Sequence, residues 1–428
     1  MYIEEIKNII WGMPTVFLIS AVGIYFTVKS GWFPITGIKE ILRSTLGSLW
    51  GKNRDKRKNS VTSFMAVATA IGGTVGVGSI IGVGYAITSG GAGSLFWMWI
   101  SGFFGMMIKY AEVYIAVKYR KKKSDGYAGG AMYCLWDFGY KRLGVLFALL
   151  CIFASIGVGN LTQTNAVSHV LQDTGIPLTF TGFILCFLFA LIILGGQRKI
   201  ARISAFVVPA VSLIYLICSF YILLRFLPEI PDVFRRIFSE VLGYKAALGG
   251  FSGTMISQSI RVGFARGVFS NEAGMGSSPI AHAAAENCTP HTQGMWGITE
   301  IIIDTFVVTT LSGLTLLCAG ANGASELFEL CFGRVGIHLL GVLLTVFALA
   351  SMISWCFYSE VCILFLTQKK VYLTVYRLIS IAATFFGALM SVTVIWDIAD
   401  IFNGLMIFPN MFLLIIKNND ITNRRKNI

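Results

Sequence analysis

Asp304 lies within the apolar string Ile301-Ile302-Ile303-Asp304-Thr305, and an ionisable side chain at such a position is a functional group by default. The structural alternative is a bond to backbone, or pairing with Arg261 or Arg266. Asn160, Gln163 and Asn165 bring three amides into the string Gly157-Val158-Gly159-Asn160-Leu161-Thr162-Gln163-Thr164-Asn165. Buried amides are costly without partners, so these either face a cavity or bond neighbouring helices. Ser351, Ser354 and Trp355 form a further polar group, although serine hydroxyls commonly bond their own helix. The densest signal is Gly72-Gly73-Thr74-Val75-Gly76-Val77-Gly78-Ser79-Ile80-Ile81-Gly82, five glycines inside an apolar run from Ser63 to Ile87.

Glycine costs a helix about 1 kcal/mol relative to alanine, so this density predicts a broken helix. Backbone released at membrane depth is tolerated only where protein covers it or where it lines a cavity. The second half would offer amides near Val77, Gly78 and Ser79 and a positive dipole end to a carboxylate. The first half would turn the carbonyls of Gly72, Thr74 and Val75 towards an ammonium or a hard cation such as sodium. The competing explanation is close helix packing through Gly72/Gly76 and Gly78/Gly82. A dinucleotide fingerprint fails, because the third glycine falls one residue late at Gly82 and no βαβ unit surrounds it. No nucleophile elbow or metal-ligand spacing is present, so nothing reads as an enzyme.

These groups must be positioned by membrane helices. Over 428 residues the chain is 55% hydrophobic and 13% charged, with a mean hydropathy of +0.74, which predicts an all-α polytopic membrane protein. The nine cysteines are scattered, and Cys151, Cys186, Cys218 and Cys318 read as small buried hydrophobes. His169, His282, His291 and His338 are isolated in sequence. The amino terminus carries Glu4 and Glu5 where a signal peptide needs basic residues, so the first apolar run reads as a retained helix.

A span needs about 20 apolar residues, and about eleven segments qualify. They run roughly over 10–30, 62–88, 92–117, 143–170, 178–196, 202–226, 245–265, 293–319, 335–366, 372–392 and 398–416. With an outside amino terminus, the inside segments hold Lys39, Arg43, Lys52 to Lys58, Arg120 to Lys123, Lys141, Arg142, Arg198, Lys199, Arg202, Lys369, Lys370 and the tail Arg424-Arg425-Lys426, while the outside loop from Arg225 to Lys245 is the exception, with Arg235 and Arg236 beside Glu229, Asp232 and Glu240. The net charge of +13 is thus accounted for by the positive-inside rule and membrane-surface anchoring, without nucleic acid. The carboxyl terminus is then cytoplasmic.

A second interruption is expected between Ala246 and Gly267, where Gly249-Gly250-Phe251-Ser252-Gly253 and Arg261-Val262-Gly263 enter an apolar span. It falls in the seventh segment, five after the first break. An odd offset of five inverts one repeat relative to the other. The expected organisation is one transmembrane domain over 1–416, with repeats at about 62–226 and 245–416 after an extra first helix, and a basic tail at 417–428.

Phe269-Ser270-Asn271-Glu272-Ala273-Gly274-Met275-Gly276-Ser277, preceded by Ala265-Arg266-Gly267, strongly resembles the signature of the alanine or glycine:cation symporters, the sodium:alanine symporter family. Gly90-Gly91 through Trp99, Lys109-Tyr110-Ala111-Glu112, Asp304-Thr305, Asn403-Gly404-Leu405-Met406 and Pro409-Asn410 agree, and the likeness runs from about residue 10 to about 416. The resemblance implies a leucine-transporter-type fold of eleven helices with a five-plus-five inverted repeat and two discontinuous helices. It also implies symport of a small neutral amino acid with sodium through the plasma membrane of a prokaryote. Sodium is then cargo, and no cofactor is expected.

Carried over by position, the resemblance implies substrate contacts from Thr74, Gly76, Val77, Gly78 and Ser79, from Asn160, Gln163 and Asn165, and from Ile260, Val262 and Gly263, with Trp355 capping a pocket sized for a methyl group or hydrogen. Sodium would sit between Gly72, Val75, Ala350 and Ser351, and Asp304, Asn271 and Glu272 would serve coupling or gating. Two departures stand out. The family usually reads Gly-Thr-Gly-Asn-Ile where this chain has Gly76-Val77-Gly78-Ser79-Ile80, and Ser-Thr where it has Ala350-Ser351. Losing a neutral oxygen weakens an ion site unless water replaces it. A proton-coupled or uncoupled carrier of another small amino acid, and a sensor that no longer cycles, are the alternatives.

Overall fold

A computed structural model describes residues 2–50, 61–123, 126–194, 197–241 and 252–422. The basic segment Lys52 to Lys58, the glycines 249–250 with Phe251, and the tail Arg424 to Lys426 lie outside the described residues, as do the side chains of Arg198 and Lys199.

The chain is a bundle of helices with one small antiparallel hairpin, β1 (Lys121–Lys123) and β2 (Gly126–Ala128). Among the described residues, eight helices are long and apolar enough to cross a membrane. They comprise the first span, whose main helix is α1 (Met13–Lys29), the run Ser63–Gly90, α4 (Gly93–Lys118), α5 (Lys141–Gln172), α7 (Gln197–Arg225), α11 (Pro290–Ala319), α12 (Arg334–Leu366) and α14 (Val392–Ile416). The other expected segments are filled by α6 (Leu178–Ile193), at 16 residues a shorter apolar helix, by α9 (Ser252–Asn271), which carries Gln258, Arg261 and Arg266, and by α13 (Lys370–Gly387).

The run Ser63–Gly90 is two helices, α2 (Ser63–Thr74) and α3 (Val77–Gly90). Thr62 starts the first by accepting the amide of Met65 at 3.2 Å. Helical bonding stops where Val75 takes extended angles (φ −78°, ψ 106°) and Gly76 follows at φ −167°, ψ −145°. The expected first break is therefore present, at Val75-Gly76.

The expected second interruption is tested only from Ser252 onward, because 242–251 lie outside the described residues. Residues 252–271 form one continuous helix, so Arg261 to Gly267 do not interrupt it. The chain leaves helical geometry at Glu272 (φ 54°) and passes through Gly274 (φ 95°) and Gly276 (φ 74°) before the short helix α10 (Pro279–Ala283). The left-handed backbone needed here favours glycine, and the nine-residue signature supplies it twice. Glycines earlier in α9 serve close packing instead: a Cβ on Gly263 would lie 2.4 Å from Ser94 O, and one on Gly267 would collide with Ser101.

Each set of five rods thus opens on a broken pair: α2/α3, α4, α5, α6, α7, then α9/α10, α11, α12, α13, α14. Burial ranks them. Within the membrane-length windows, 78% of Ser63–Gly90 and 83% of α4 is buried, against 44% of the α7 span, so the first break lies in the interior. Two π-helical stretches, Ser155–Leu161 in α5 and Ile302–Thr309 in α11, widen the helices that face it.

Charge sorts to the two ends of α4. At its carboxyl end Lys118 pairs with Asp420 at 3.1 Å and Lys121 with Asp137 at 2.5 Å. At its amino end Glu240, from the amphipathic helix α8 (Ile230–Val241), accepts the amide of Gly93 at 2.8 Å and pairs with Arg236. With 26 residues, α4 is about 39 Å long, enough to hold the two ends at opposite membrane surfaces.

Candidate functional site

The first break is approached by α5, α9, α11 and α12. A Cβ placed on Gly76 would lie 3.5 Å from Gln163 Oε1 and 3.7 Å from Ser351 Cβ, so these two side chains flank the bare backbone. Gln163 donates through Nε2 to Val158 O at 3.1 Å, inside the π stretch, while its buried Oε1 has no partner. Trp355 stands one turn beyond Ser351 on α12, fully buried, with Nε1 also unpartnered. It packs on Gly159, where a Cβ would fall 2.6 Å from Trp355 Cβ. Buried polar atoms are almost always satisfied, so the orphaned Gln163 oxygen beside the helix break marks a place for a polar ligand.

The residues of the break divide by role. Val77 buries its side chain in an apolar cluster with Val75 and Ile80, so it contributes backbone only. Thr74 spends its hydroxyl on Ala70 O and Ile71 O of its own helix. Gly78 faces Phe269, 3.4 Å from where a Cβ would stand. Gly72 and Gly73 lie against α12: Ala350 O is 3.4 Å from a Cβ built on Gly72, and Ser351 Oγ donates to Gly73 O at 3.4 Å. The end of α2 at Gly72 and Gly73 therefore meets Ala350 and Ser351.

Ser79 reaches a separate polar centre. Its hydroxyl lies 2.6 Å from Asp304 Oδ1, and Ser270 at the end of α9 reaches both oxygens of the same carboxylate at 3.0 and 2.9 Å. Thr305 Oγ1 donates to Asp304 Oδ2 at 3.2 Å, Thr309 Oγ1 lies 3.4 Å from Ser270 Oγ, and Ser79 Oγ is 3.3 Å from Thr74 O. Neither expected arginine partner is used: Arg266 pairs with Asp400 and Arg261 donates to Asn8 Oδ1. The carboxylate sits among oxygen atoms alone, without an ion pair among the described residues.

Other expected residues are directed elsewhere. Asn160 donates to Thr384 Oγ1 at 2.9 Å, and Asn165 to Gly387 O and Met390 O at 3.0 and 2.9 Å, so both tie α5 to α13 and its end. Of the three amides only Gln163 flanks Gly76. Ile260, Val262 and Gly263 lie about 10 to 15 Å along α9 from Ser270. Val262 there meets Gly90, at the end of α3 remote from the break, and Gly263 meets Ser94.

Asn271 and Glu272 belong to the second break. Asn271 Oδ1 accepts the amide of Ala273 at 3.0 Å and its Nδ2 donates to Thr305 Oγ1 at 3.2 Å. Ser277 donates to Glu272 Oε2 at 2.5 Å. Glu112 Oε1, from α4, accepts the amide of Gly276 at 3.0 Å and Nδ2 of Asn410, which also donates to Gly274 O at 2.9 Å. Lys109 donates to Ser278 Oγ at 2.6 Å and pairs with Glu300 at 3.4 Å, and Glu300 also holds His282 at 2.9 Å. All of these side chains are buried.

Aromatic residues close both sides of the first break. On the side of Gly90, Phe269 covers Gly78 and stacks obliquely on Trp396 at 5.5 Å. The Arg266 guanidinium lies 5.1 to 5.3 Å from the rings of Tyr85, Phe269 and Trp396 and is ion-paired to Asp400. On the other side the Tyr358 hydroxyl, buried and unpartnered, lies 2.6 Å from a Cβ built on Gly73. Sequence reading missed Ser270, Phe269 and Tyr358. The first two sit in the signature string, while nothing in the spacing singles out Tyr358.

Known proteins share this architecture. A solved structure of MhsT in complex with L-phenylalanine superposes with a TM-score of 0.54 at 14% identity, covering 82% of this chain and 89% of that one. A manganese transporter from Eremococcus coleocola gives 0.54 at 16%, covering 82% and 76%. At such identities the likeness speaks for the leucine-transporter-type fold alone. In sequence, an uncharacterized transporter of Haemophilus influenzae is 39% identical, over 96% of this chain and 92% of its own. The sodium/alanine symporter AgcS of Methanococcus maripaludis is 34% identical over 99% and 96%, and the probable sodium/glutamine symporter GlnT of Bacillus subtilis 30% over 96% and 86%. The sodium:alanine symporter family itself matches residues 1–427, essentially the whole length described above, and the chain belongs to that family.

Proposed function

We propose that the protein carries alanine or glycine into the cell together with sodium, by alternating access around the Val75-Gly76 break. Membership of a family of sodium-coupled amino-acid symporters makes it a membrane transporter and not an enzyme. The observation that carries the finer reading is the unpartnered Gln163 Oε1 beside Gly76, directly in front of the free amides that begin α3. An amino-acid zwitterion matches both: its carboxylate to the amides of Val77 and Gly78, its ammonium to Gln163 Oε1 and the carbonyl end of α2.

Size follows from the walls. AgcS is by name a symporter of alanine, and GlnT a probable symporter of glutamine, so the family leaves the side chain open. Here Gln163 and Ser351 flank Gly76 and Phe269 covers Gly78, which favours hydrogen or methyl. Sodium would be held by the carbonyls of Gly72 and Val75, the Ala350 carbonyl and the Ser351 hydroxyl, whose bond to Gly73 O is long enough at 3.4 Å to be exchanged. The ion couples only if it binds one state better than the other, and closing α12 against α2 supplies that difference. The concentration of lysines at the carboxyl end of α4 favours a cytoplasmic location for that end and for the carboxyl terminus, in the plasma membrane of a prokaryote.

The experiment is uptake of labelled alanine into proteoliposomes with and without an inward sodium gradient. Accumulation that needs the gradient supports symport, and equal uptake in both removes sodium while leaving transport. A second reading, proton coupling, is favoured by the Asp304 carboxylate enclosed by the hydroxyls of Ser79, Ser270 and Thr305 without a cation. Uptake driven by a pH gradient and lost in Asp304→Asn would select it.

A further inference from the structure

A cavity of about 570 Å³ opens on the lysine-rich side of the bundle, lined by parts of α2, α7, α10, α12 and α13 and by the hairpin β1–β2. Thr69 and Glu360 belong to its wall. At the helical rise, Thr69 is about 10 Å from Gly76 along α2, and Glu360 about 13 Å from Ser351 along α12. Tyr358, pressed against Gly73, lies between this chamber and the break. The chamber is therefore a vestibule one step removed from the central site.

Its polar groups are arranged around an ion pair. Arg377 Nε donates to Glu360 Oε1 at 2.6 Å, and among the described residues the two terminal nitrogens of Arg377 have no partner. Glu360 is 1% exposed, and its Oε1 also lies 3.9 Å from Cys356 Sγ, leaving Oε2 uncommitted. Tyr133, also on the wall, buries its hydroxyl without a hydrogen-bond partner among the described residues. Lys123, Lys370 and Glu286 stand around the same chamber, so both signs of charge are present. A half-buried guanidinium, a free carboxylate oxygen and an orphaned buried hydroxyl on residues lining one chamber form a built site.

We infer that this vestibule is a second, weaker binding site for the zwitterionic amino acid, its carboxylate taken by Arg377 and Tyr133 and its ammonium by Glu360. This rests on the reading of the protein as an amino-acid carrier, and it adds a station between the central site and the lysine-rich surface. A lone anion or cation would meet one favourable and one unfavourable charge, whereas a zwitterion satisfies both. The side chain of the ligand would lie against Phe357 and Val361, so this site selects the backbone of the amino acid more than its side chain.

The test uses saturation-transfer NMR of L-alanine on the purified full chain, in wild type and in Gly76→Val, which fills the space between Gln163 and Ser351. Gly76→Val should keep a saturable alanine signal at least about tenfold weaker in affinity than wild type. Adding Tyr133→Phe or Arg377→Lys should weaken that residual signal by about a further fivefold, with acetate and methylammonium competing poorly. Tyr133→Phe removes one oxygen and keeps the packing, so the test stands even if Arg377→Lys does not fold. Complete loss of binding in a folded Gly76→Val overturns the vestibule site, as does acetate competing as well as alanine. If wild type transports alanine while that loss occurs, the carrier reading survives. If wild type does not transport alanine but the Tyr133-dependent signal is present, the vestibule site stands and the carrier reading falls.

Discussion

Ser79 Oγ and Asp304 Oδ1 lie 2.6 Å apart, joining the second half of the broken first rod to the π stretch of α11. Ser270 reaches the same carboxylate from the last turn of α9, just before the second break. One side chain thus connects α3, α9 and α11, the elements that meet where both broken rods lose helical geometry. Any displacement of α3 against α11 must stretch or exchange these bonds. The serine that stands where the family usually has asparagine is therefore occupied with Asp304, and the site's polarity is held by the carboxylate.

Asp304→Asn keeps the shape but puts an amide donor where hydroxyls of Ser79 and Ser270 now point. We expect the initial rate of sodium-driven alanine uptake to fall at least about tenfold, since a charge-assisted bond is worth roughly 1.5–3 kcal/mol. Ser79→Ala leaves Ser270 and Thr305 on the carboxylate and should cost about 1 kcal/mol, a fall of several-fold. Uptake measured across sodium concentrations checks both. Wild-type rates and sodium dependence in Asp304→Asn would remove the carboxylate from the cycle.

Gly76→Val addresses the central site directly. Gly76 has extended backbone angles that any residue adopts, so the cost is in space and not in conformation. A valine there projects between Gln163 Oε1 and Ser351, where the ligand ammonium belongs. Alanine affinity, read by scintillation proximity, should drop by at least about 2 kcal/mol, roughly thirtyfold, while the thermal midpoint stays near wild type. Unchanged affinity would place the substrate elsewhere.

The broken first rod was legible because five glycines in an apolar span leave few other conformations. Its lining was less so. Asn160, Gln163 and Asn165 look equivalent in sequence, but the π stretch at Ser155–Leu161 sets how the following turns of α5 are presented, and only Gln163 reaches Gly76. Arg261 to Gly267 were read as part of the second break for a related reason. Glycines at 263 and 267 signal close packing against α4 as readily as a break, whereas the true departure needs left-handed backbone at Glu272, which is not a glycine. The pairing of Arg266 with Asp400 spans 134 residues, and no local pattern announces it.

Ala350→Ser restores a hydroxyl at the place where the family usually has one. Ala350 is 1% exposed, and its carbonyl, which accepts Ser354 Oγ at 2.8 Å, faces Gly72. An added oxygen should raise sodium affinity, lowering the half-saturating sodium concentration by several-fold, because a buried ion gains from each further oxygen ligand. Sodium titration of alanine uptake reads the change. A half-saturation that does not move, in a variant that still transports, would put the ion away from Ala350 and Ser351.

Glu112 separates two roles at the second break. Its Oε1 accepts the Gly276 amide and Nδ2 of Asn410, while its buried Oε2 has no partner. Glu112→Ala strands both donors in the interior and should destabilise the protein by about 2–4 kcal/mol, since each orphaned donor costs roughly 1–3 kcal/mol. Glu112→Gln can keep its carbonyl oxygen towards both donors and place the amide nitrogen at the partnerless position. The charge-assisted part of the bonds is then lost and the amide nitrogen becomes one orphaned donor, together about 2 kcal/mol, against two stranded donors and a cavity in the alanine variant. Thermal unfolding followed by tryptophan fluorescence should rank wild type above Gln and Gln above Ala. If Gln falls as far as Ala, the negative charge itself holds the left-handed backbone at Glu272 to Gly276, and Lys109 across the same cluster is the partner it requires.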